Sequence, residues 1–312
     1  IKKISLVRKE TIKWKQKLDD EMHWIENLPK DLSPYFPKIL NKGESKNATY
    51  YDMPYFAYPS IRKLIFRGEV DILTVSSLLR NITEFMFLNV YSKDIAPANT
   101  SYQKKIHLSR IKKRILDTKK NSLTFNNIID CNKILINGEE FLNVTPLINF
   151  VEDSHELISI LTPKSVSKVH GDLHFDNVLV NRYDEHNPNF IFIDPRGLEK
   201  TYNYSYDIGK IFHSIHGMYD VIHEGLYDLK INYNNSLEVT LLLKDYPIMQ
   251  FYQALQKEFI GFLENSQFLK NDKYWIIRTL FAEASHFCSV MPFHLKKNKN
   301  EKLAVSLYLI GV

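Results

Sequence analysis

The sequence predicts an α+β protein made of a small strand-bearing block, residues 1–60, and a larger, mainly helical remainder, residues 61–312. Three observations lead there. Residues 1–9 mix β-branched and apolar residues with Lys and Arg as a strand does, and a helical pattern follows. Beyond residue 70 the apolar residues recur mostly at helical spacing. The densest polar cluster, within residues 169–181, sits between apolar segments, as a loop at the rim of a packed core would.

The elements follow in order. Thr11 to Leu28 reads as a helix, since Trp14, Leu18, Met22, Ile25 and Leu28 keep a spacing of three to four and Pro29 ends the pattern. A link bearing Pro34 and Pro37 leads to a strand at Tyr55–Tyr58 that runs out at Pro59. Val70–Tyr91 and Ser101–Lys119 read as helices, the second strongly basic on its outer positions. Residues 134–142 read as a hairpin, because Asn137-Gly138 between apolar runs suits a type I′ turn. Residues 190–194, Phe-Ile-Phe-Ile-Asp, form an apolar run closed by an acid, and from Tyr206 the pattern is mostly helical to the end.

Composition removes several classes of function. Hydrophobic residues at 44% and charged residues at 25% are the mix of a folded chain, which excludes disorder. The net charge of +5 is too small and scattered to indicate nucleic acid as a partner. Cys131 and Cys288 form no CxxC pair, so neither a disulfide framework nor a zinc knuckle is expected, and a reduced, cytoplasmic compartment follows. The start lacks the apolar core of a secretion signal, and no run of about 18 apolar residues suggests a membrane partner. Because the first residue is Ile, an upstream segment or domain of a longer chain is expected.

The chemistry concentrates in Val169-His170-Gly171-Asp172-Leu173-His174-Phe175-Asp176-Asn177-Val178 and in the segment 190–197 that ends the next apolar run. Asn177 and Asp194 offer two oxygen-bearing side chains that can converge on one hard cation, and magnesium prefers such ligands while keeping water and substrate phosphates in its shell. Asp172, five residues before Asn177, can face the same cleft from the same loop. Phosphoryl transfer asks for this set: metal-held phosphates and a carboxylate that orients a hydroxyl and accepts its proton. Asp172 is then the base, and Asn177 and Asp194 the metal ligands. His170 supports the loop by hydrogen bonding, and Arg196 puts a positive group beside the metal, suited to a transferring phosphoryl group or an acidic substrate.

On these residues the chain resembles the aminoglycoside phosphotransferase and choline kinase family, relatives of the protein kinases. The family's H-G-D-x-x-x-x-N loop is matched by His170, Gly171, Asp172 and Asn177, its second metal-binding acid by Asp194, and a later Asp that buttresses the loop by Asp207 in Tyr206-Asp207-Ile208-Gly209. The resemblance implies a two-lobed protein-kinase-like fold, with residues 1–60 as the small lobe and residues 61–312 as the helical lobe. It further implies ATP or another nucleoside triphosphate bound with magnesium, its adenine near the hinge Tyr58-Pro59-Ser60. The γ-phosphate would pass to a hydroxyl of a small molecule: a sugar, an amino alcohol or an aminoglycoside. It also calls for a phosphate-binding lysine on the first strand and a partner acid on the following helix. Lys3 and Glu21 are chosen for these roles, since Ile4 and Leu6 are expected to pack on the helix and leave the Lys3 face toward the cleft.

Two rivals are weighed. Gly171-Asp172-Leu173-His174 superficially suggests a metallophosphoesterase, but the later histidines, in residues 213–217 and 285–287, fit none of that chemistry's further motifs. A kinase-like protein that binds nucleotide or a partner without turnover is the alternative, favoured by the absence of a Gly-rich loop before the first strand.

Overall fold

A computed structural model of the chain describes residues 5–44, 48–182, 188–197, 202–233, 237–244, 247–298 and 300–312. They form an α+β protein, mostly helical, with small sheets. The chain divides into two compact units, one of Ile1–Ala96 with Ser165–Ile211 and one of Pro97–Lys164 with Phe212–Val312.

The first unit opens with β1 (Leu6–Thr11), α1 (Lys15–Glu26), β2 (Asn41–Glu44) and β3 (Thr49–Pro54). The strands make an antiparallel sheet in the order β1-β3-β2, with Lys9 opposite Tyr51 and Arg8 opposite Asp52. Alternation along β1 turns Val7, Lys9 and Thr11 to the more covered face and Leu6, Arg8 and Glu10 to solvent. Leu18 and Met22 of α1 pack on Tyr51, with Ile39 and Met53 against them.

The strand expected at Tyr55–Tyr58 is not in a sheet. The ladder ends at Pro54, Tyr55 N adds one bond to Ser5 O at 2.8 Å, and the chain runs on outside any sheet to Pro59. Then come α2 (Ile61–Phe66), capped by Ser60, and α3 (Ile72–Phe85), capped by the Asp71 carboxylate on Thr74 N at 2.7 Å. A wider π-helical turn, Met86–Val90, carries α3 on to Tyr91, so the helical stretch expected to Tyr91 is present in two geometries.

After the second unit's insertion, strands Val178–Val180 and Phe190–Phe192 pair antiparallel, and Val180 N donates to Pro59 O at 2.8 Å. Phe36 meets Phe192 with ring centroids 5.2 Å apart, and Phe85 meets Phe192 at 5.8 Å. This aromatic layer lies directly beneath the polar loop that follows Val169.

The second unit packs helices Ser109–Lys119, Trp275–Phe293 and Glu301–Gly311 around Ile111, Phe125, Phe287, Met291 and Tyr308. Its sheet takes Tyr227–Tyr233, Leu237–Leu243, Lys133–Ile136 and Glu139–Leu142 in that order. The Asn137-Gly138 hairpin forms as expected, both residues at positive φ (+50° and +88°), and the Asn137 amide exchanges two bonds with Leu241. The hairpin Tyr227–Tyr233/Leu237–Leu243 replaces part of the tail expected to be helical; Leu237, Val239 and Leu241 alternate as buried residues along it. No helix among the described residues is long and apolar enough to cross a membrane.

Candidate functional site

The loop after Val169 is held from below. His170 is wholly buried, its ring 5.9 Å from that of Phe192 and 6.3 Å from that of Trp24. Its Nδ1 accepts from Asp172 N (3.2 Å), so Nε2 carries the proton and donates to Ile193 O (3.1 Å). Burial pushes its pKa down to about 4, against the pull of Asp172 and Asp194, and the ring is neutral near pH 7. His170 is thus a strut between the polar loop and the 190–197 segment, which Arg196 N ties again through His170 O at 2.8 Å.

Asp207 clamps the turn. It lies in the first turn of helix Tyr204–Ile215 and accepts His170 N at 2.8 Å, Gly171 N at 2.7 Å and the Tyr91 hydroxyl at 3.1 Å. Burial raises its pKa to about 6, and the two backbone N–H groups and Tyr91 restrain the rise. Asp207 buttresses the loop, and Asn203 accepts from Ser205 N at the helix start. Gly171 takes φ +83°, a left-handed conformation that bends the chain so that both N–H groups reach one carboxylate.

On this scaffold Asp172 keeps 28% of its side-chain exposure and pairs with Lys210, Nζ to Oδ1 3.0 Å. Burial works against its charged form, but Lys210, His174 and Arg196 outweigh it and hold the carboxyl well below the usual range. Asn177 donates from Nδ2 to Asp172 O at 2.8 Å, which fixes the amide and leaves Oδ1 as its acceptor atom. Ile193 N donates to Asn177 O at 3.0 Å, so Asn177 and Asp194 are neighbours across the ribbon. Asp194 itself sits at φ +58°, an uncommon setting for a non-glycine residue and one that concentrates at functional positions. Arg196 donates through Nη1 to the Tyr206 hydroxyl at 2.8 Å.

The lysine that reaches this site is Lys9. Its Nζ lies 2.7 and 2.8 Å from the two Glu21 oxygens and 2.9 Å from Asp194 Oδ1. Glu21 is 1% exposed and also accepts from the Tyr51 hydroxyl at 2.6 Å. Burial pushes the Glu21 carboxyl up, and Lys9 and Tyr51 pull it back. At Lys9 burial opposes the charge, but Asp194 and Glu21 together raise its pKa.

Lys3 lies outside the described residues, and the Glu21 carboxylate expected to hold it is taken by Lys9 and Tyr51. The face argument behind that choice also fails, because Leu6 is 56% exposed and does not pack on α1. Ser60 is buried, its hydroxyl donating to Asp176 at 2.8 Å and capping α2 through Lys63 N, so its side chain serves the start of α2 and the loop. Arg62 grips the other Asp176 oxygen at 2.6 Å. Tyr58 is half-buried beside Phe56, ring centroids 6.0 Å apart.

The structure therefore brings Asp172, Asn177, Asp194, His170, Asp207, Arg196 and Glu21 into one region of the first unit. It adds Lys9 and Lys210, which sequence reasoning missed. Lys9 shares the strand parity of Lys3, so alternation cannot separate them; its pairing with Tyr51 can. The signal for Lys210 is its place three residues after Asp207, on the same helix face. A scan against models of known protein families finds no match to the chain, and a search of the curated proteins finds none.

Proposed function

We propose that the chain is an ATP-dependent phosphotransferase of two-lobed protein-kinase-like architecture. It would move the γ-phosphoryl group of a nucleoside triphosphate to a hydroxyl of a small molecule: a sugar, an amino alcohol or an aminoglycoside-like compound. One observation carries this reading: the Lys9–Glu21 pair meets Asp194 at 2.9 Å, next to the loop that bears Asp172 and Asn177. A phosphate-binding cation, two hard oxygen donors and an ionised carboxylate are what phosphoryl transfer requires of a protein.

Each residue has a task. Lys9, steadied by Glu21, binds phosphate oxygens as a point charge. Asp194 and Asn177 fit a magnesium ion, being a half-exposed carboxylate and an amide whose nitrogen is already engaged, so that oxygen is what it offers. Held by Asp194 and Asn177, the ion would supply positive charge to offset that of the phosphates. Asp172 orients the acceptor hydroxyl and takes its proton as the acceptor oxygen bonds to the γ-phosphorus. The bond from that phosphorus to the bridging oxygen breaks, and its electron pair leaves on the nucleoside diphosphate. His170 and Asp207 hold the loop, and Arg196 adds positive charge beside Asp172. A cytoplasmic location, rich in nucleoside triphosphates, suits this reading, as do two free cysteines.

The alternative is a nucleotide-binding protein without turnover, and the ion pair that occupies one oxygen of Asp172 favours it. The deciding experiment measures nucleoside diphosphate release from Mg·ATP and Mg·GTP across a panel of sugars, amino alcohols and aminoglycosides, with Asp172→Asn as control. Acceptor-dependent release lost in the variant supports transfer. Calorimetric nucleotide binding with no release under any acceptor supports the alternative, and no binding at all removes both.

A further inference from the structure

We infer that the hydroxyl acceptor carries an anionic group, a carboxylate or a phosphate, which Lys17 and Arg196 receive beside Asp172. The inference rests on the phosphotransferase reading and narrows its acceptor classes to an acidic sugar, against an amino alcohol or an aminoglycoside.

Two segments of the first unit bring these cations together. Lys17 lies four residues before Glu21 on α1 and so shares the face that meets Lys9 and Asp194. The chain after Asp194 packs on the same helix, since a Cβ on Gly197 would lie 2.4 Å from the Asp20 backbone carbon. Arg196, one residue earlier, is anchored by its Nη1 bond to the Tyr206 hydroxyl at 2.8 Å. Tyr206 is 1% exposed and lies four residues before Lys210, the partner of Asp172, so the anchor holds Arg196 on the Asp172 side. Lys17 is exposed and Arg196 half-buried, which leaves both open to a ligand.

The other cations of the site already have counter-charges. Lys9 is taken by Glu21 and Asp194, and Lys210 by Asp172. Asp20, three residues after Lys17, bonds Gln16 at 2.7 Å. Among the described residues neither Lys17 nor Arg196 makes an ion pair. Burial lowers the Lys17 pKa, and of the charges around it Arg196, of the same sign, lowers it most. Two like charges thus face each other without a carboxylate of their own, a conflict of the kind that folded chains keep at functional sites.

The place of the pair favours the acceptor over the nucleotide. Lys9 already serves the nucleotide phosphates in the proposed reaction. Lys17 stands one helical turn back from Glu21, and Arg196 two residues past Asp194, so both are set off from the Lys9 contact. An anion held between them lies near Asp172, where the acceptor hydroxyl has to be placed. A guanidinium fork with a point charge beside it suits a carboxylate or a phosphate. A cationic acceptor would instead meet Lys17, Arg196 and Lys210 around Asp172, and like-charge juxtaposition is costly.

The test fills the nucleotide site with the magnesium complex of a non-hydrolysable ATP analogue. Glucose, glucuronate, glucose-6-phosphate and glucosamine, which share one ring and differ in charge, are then titrated by calorimetry. The parent should bind the two anions about 10–100-fold more tightly than glucosamine, and the order of the two tells a carboxylate from a phosphate. Lys17→Met should lose about 10-fold in anion affinity with nucleotide affinity unchanged. Lys17→Glu should bring glucosamine level with the anions or above them. Arg196→Lys, which keeps the charge and loses the fork, should also bind the anions more weakly. Equal or undetectable affinity for all four sugars, a preference for glucosamine in the parent, or an anion preference that survives Lys17→Glu overturns the inference. A loss of nucleotide affinity in Lys17→Met as large as its loss of anion affinity overturns it too, and gives the lysine to the nucleotide phosphates. If the parent binds no nucleotide, the proposed function fails. The same titrations on the nucleotide-free protein, with Lys9→Met as control for anions held at Lys9, then still decide whether Lys17 and Arg196 hold an anion.

Discussion

Replacing Lys9 by Met removes the ammonium and keeps most of the aliphatic stem. Glu21 then stays behind, 1% exposed, with the Tyr51 hydroxyl as its other partner. Removing one member of a buried pair costs about 3–5 kcal/mol when the other keeps its charge. Glu21 has an escape, which is to take up a proton. Each pH unit is worth about 1.4 kcal/mol, so neutralising a carboxyl of ordinary pKa, about 4.3, costs roughly 3.7 kcal/mol at pH 7 and roughly 1 kcal/mol at pH 5. That cost caps the loss. The sign follows from the direction of the shift: burial raises the Glu21 carboxyl, and a group raised in the fold gives its stability at low pH and loses it as pH rises through the folded value. Without Lys9 the rise is larger, so the variant's deficit should be greatest at pH 7 and shrink toward pH 5. Urea unfolding of parent and variant at both values measures it. The double variant Lys9→Met/Glu21→Gln should recover most of the stability at pH 7 and none of the ATP use, whereas Lys3→Ala should weaken ATP use less than Lys9→Met. A deficit equal at pH 5 and pH 7, or under about 0.5 kcal/mol at both, would refute the pairing as the reason Glu21 is tolerated in the core.

Three further outcomes follow from the site. Asp172→Asn should bind ATP with near-parent affinity in calorimetry and lose about 10²–10⁴-fold in kcat, the usual contribution of a positioned base, and full turnover would remove the assignment. Asp194→Ala should abolish the magnesium-dependent part of ATP binding, because the ion then loses its charged protein ligand; equal affinity with and without the substitution under magnesium would count against it. Gly197→Ala should destabilise the protein by more than the 1–2 kcal/mol typical of a left-handed residue, since Gly197 has φ +70° and an added Cβ would lie 2.4 Å from the Asp20 backbone carbon. Urea unfolding reads that loss, and a change below about 0.5 kcal/mol would show that the approach to α1 is not tight.

The site was legible where its residues are close in sequence. His170, Asp172 and Asn177 lie within eight residues, and Asp194 closes an apolar run whose strand pairs directly with the one after Asn177. Lys9 was not legible because the choice of lysine depends on register. Which odd-numbered position of β1 faces Glu21 is set by the pairing of β1 with β3, and the sequence pattern points to a strand at Tyr55–Tyr58, just past β3. Lys210 was hidden for the converse reason, since a lysine inside an amphipathic helix reads as a solvated charge until a buried carboxylate is known to lie against it. In the fold, the Asn137-Gly138 turn announced its hairpin, while Leu237–Leu243 carried a clear alternation that the helical patterns around it masked.

The Lys9–Asp194 bond joins residues 185 positions apart within one unit whose two segments are separated by Pro97–Lys164. A chain emerging from the ribosome at roughly 5–20 residues per second makes the intervening residues over roughly 3–14 s before the second segment begins to appear. Through that interval the residues of β1, α1 and β3 lack Asp194, the Val178–Val180 ribbon and Phe192, which covers Phe36. The N-terminal segment therefore spends seconds without the residues that complete its aromatic layer and its Lys9 cluster. Charged side chains on the solvent face of β1, Arg8 and Glu10, are the ones then available to discourage its pairing with a neighbouring chain.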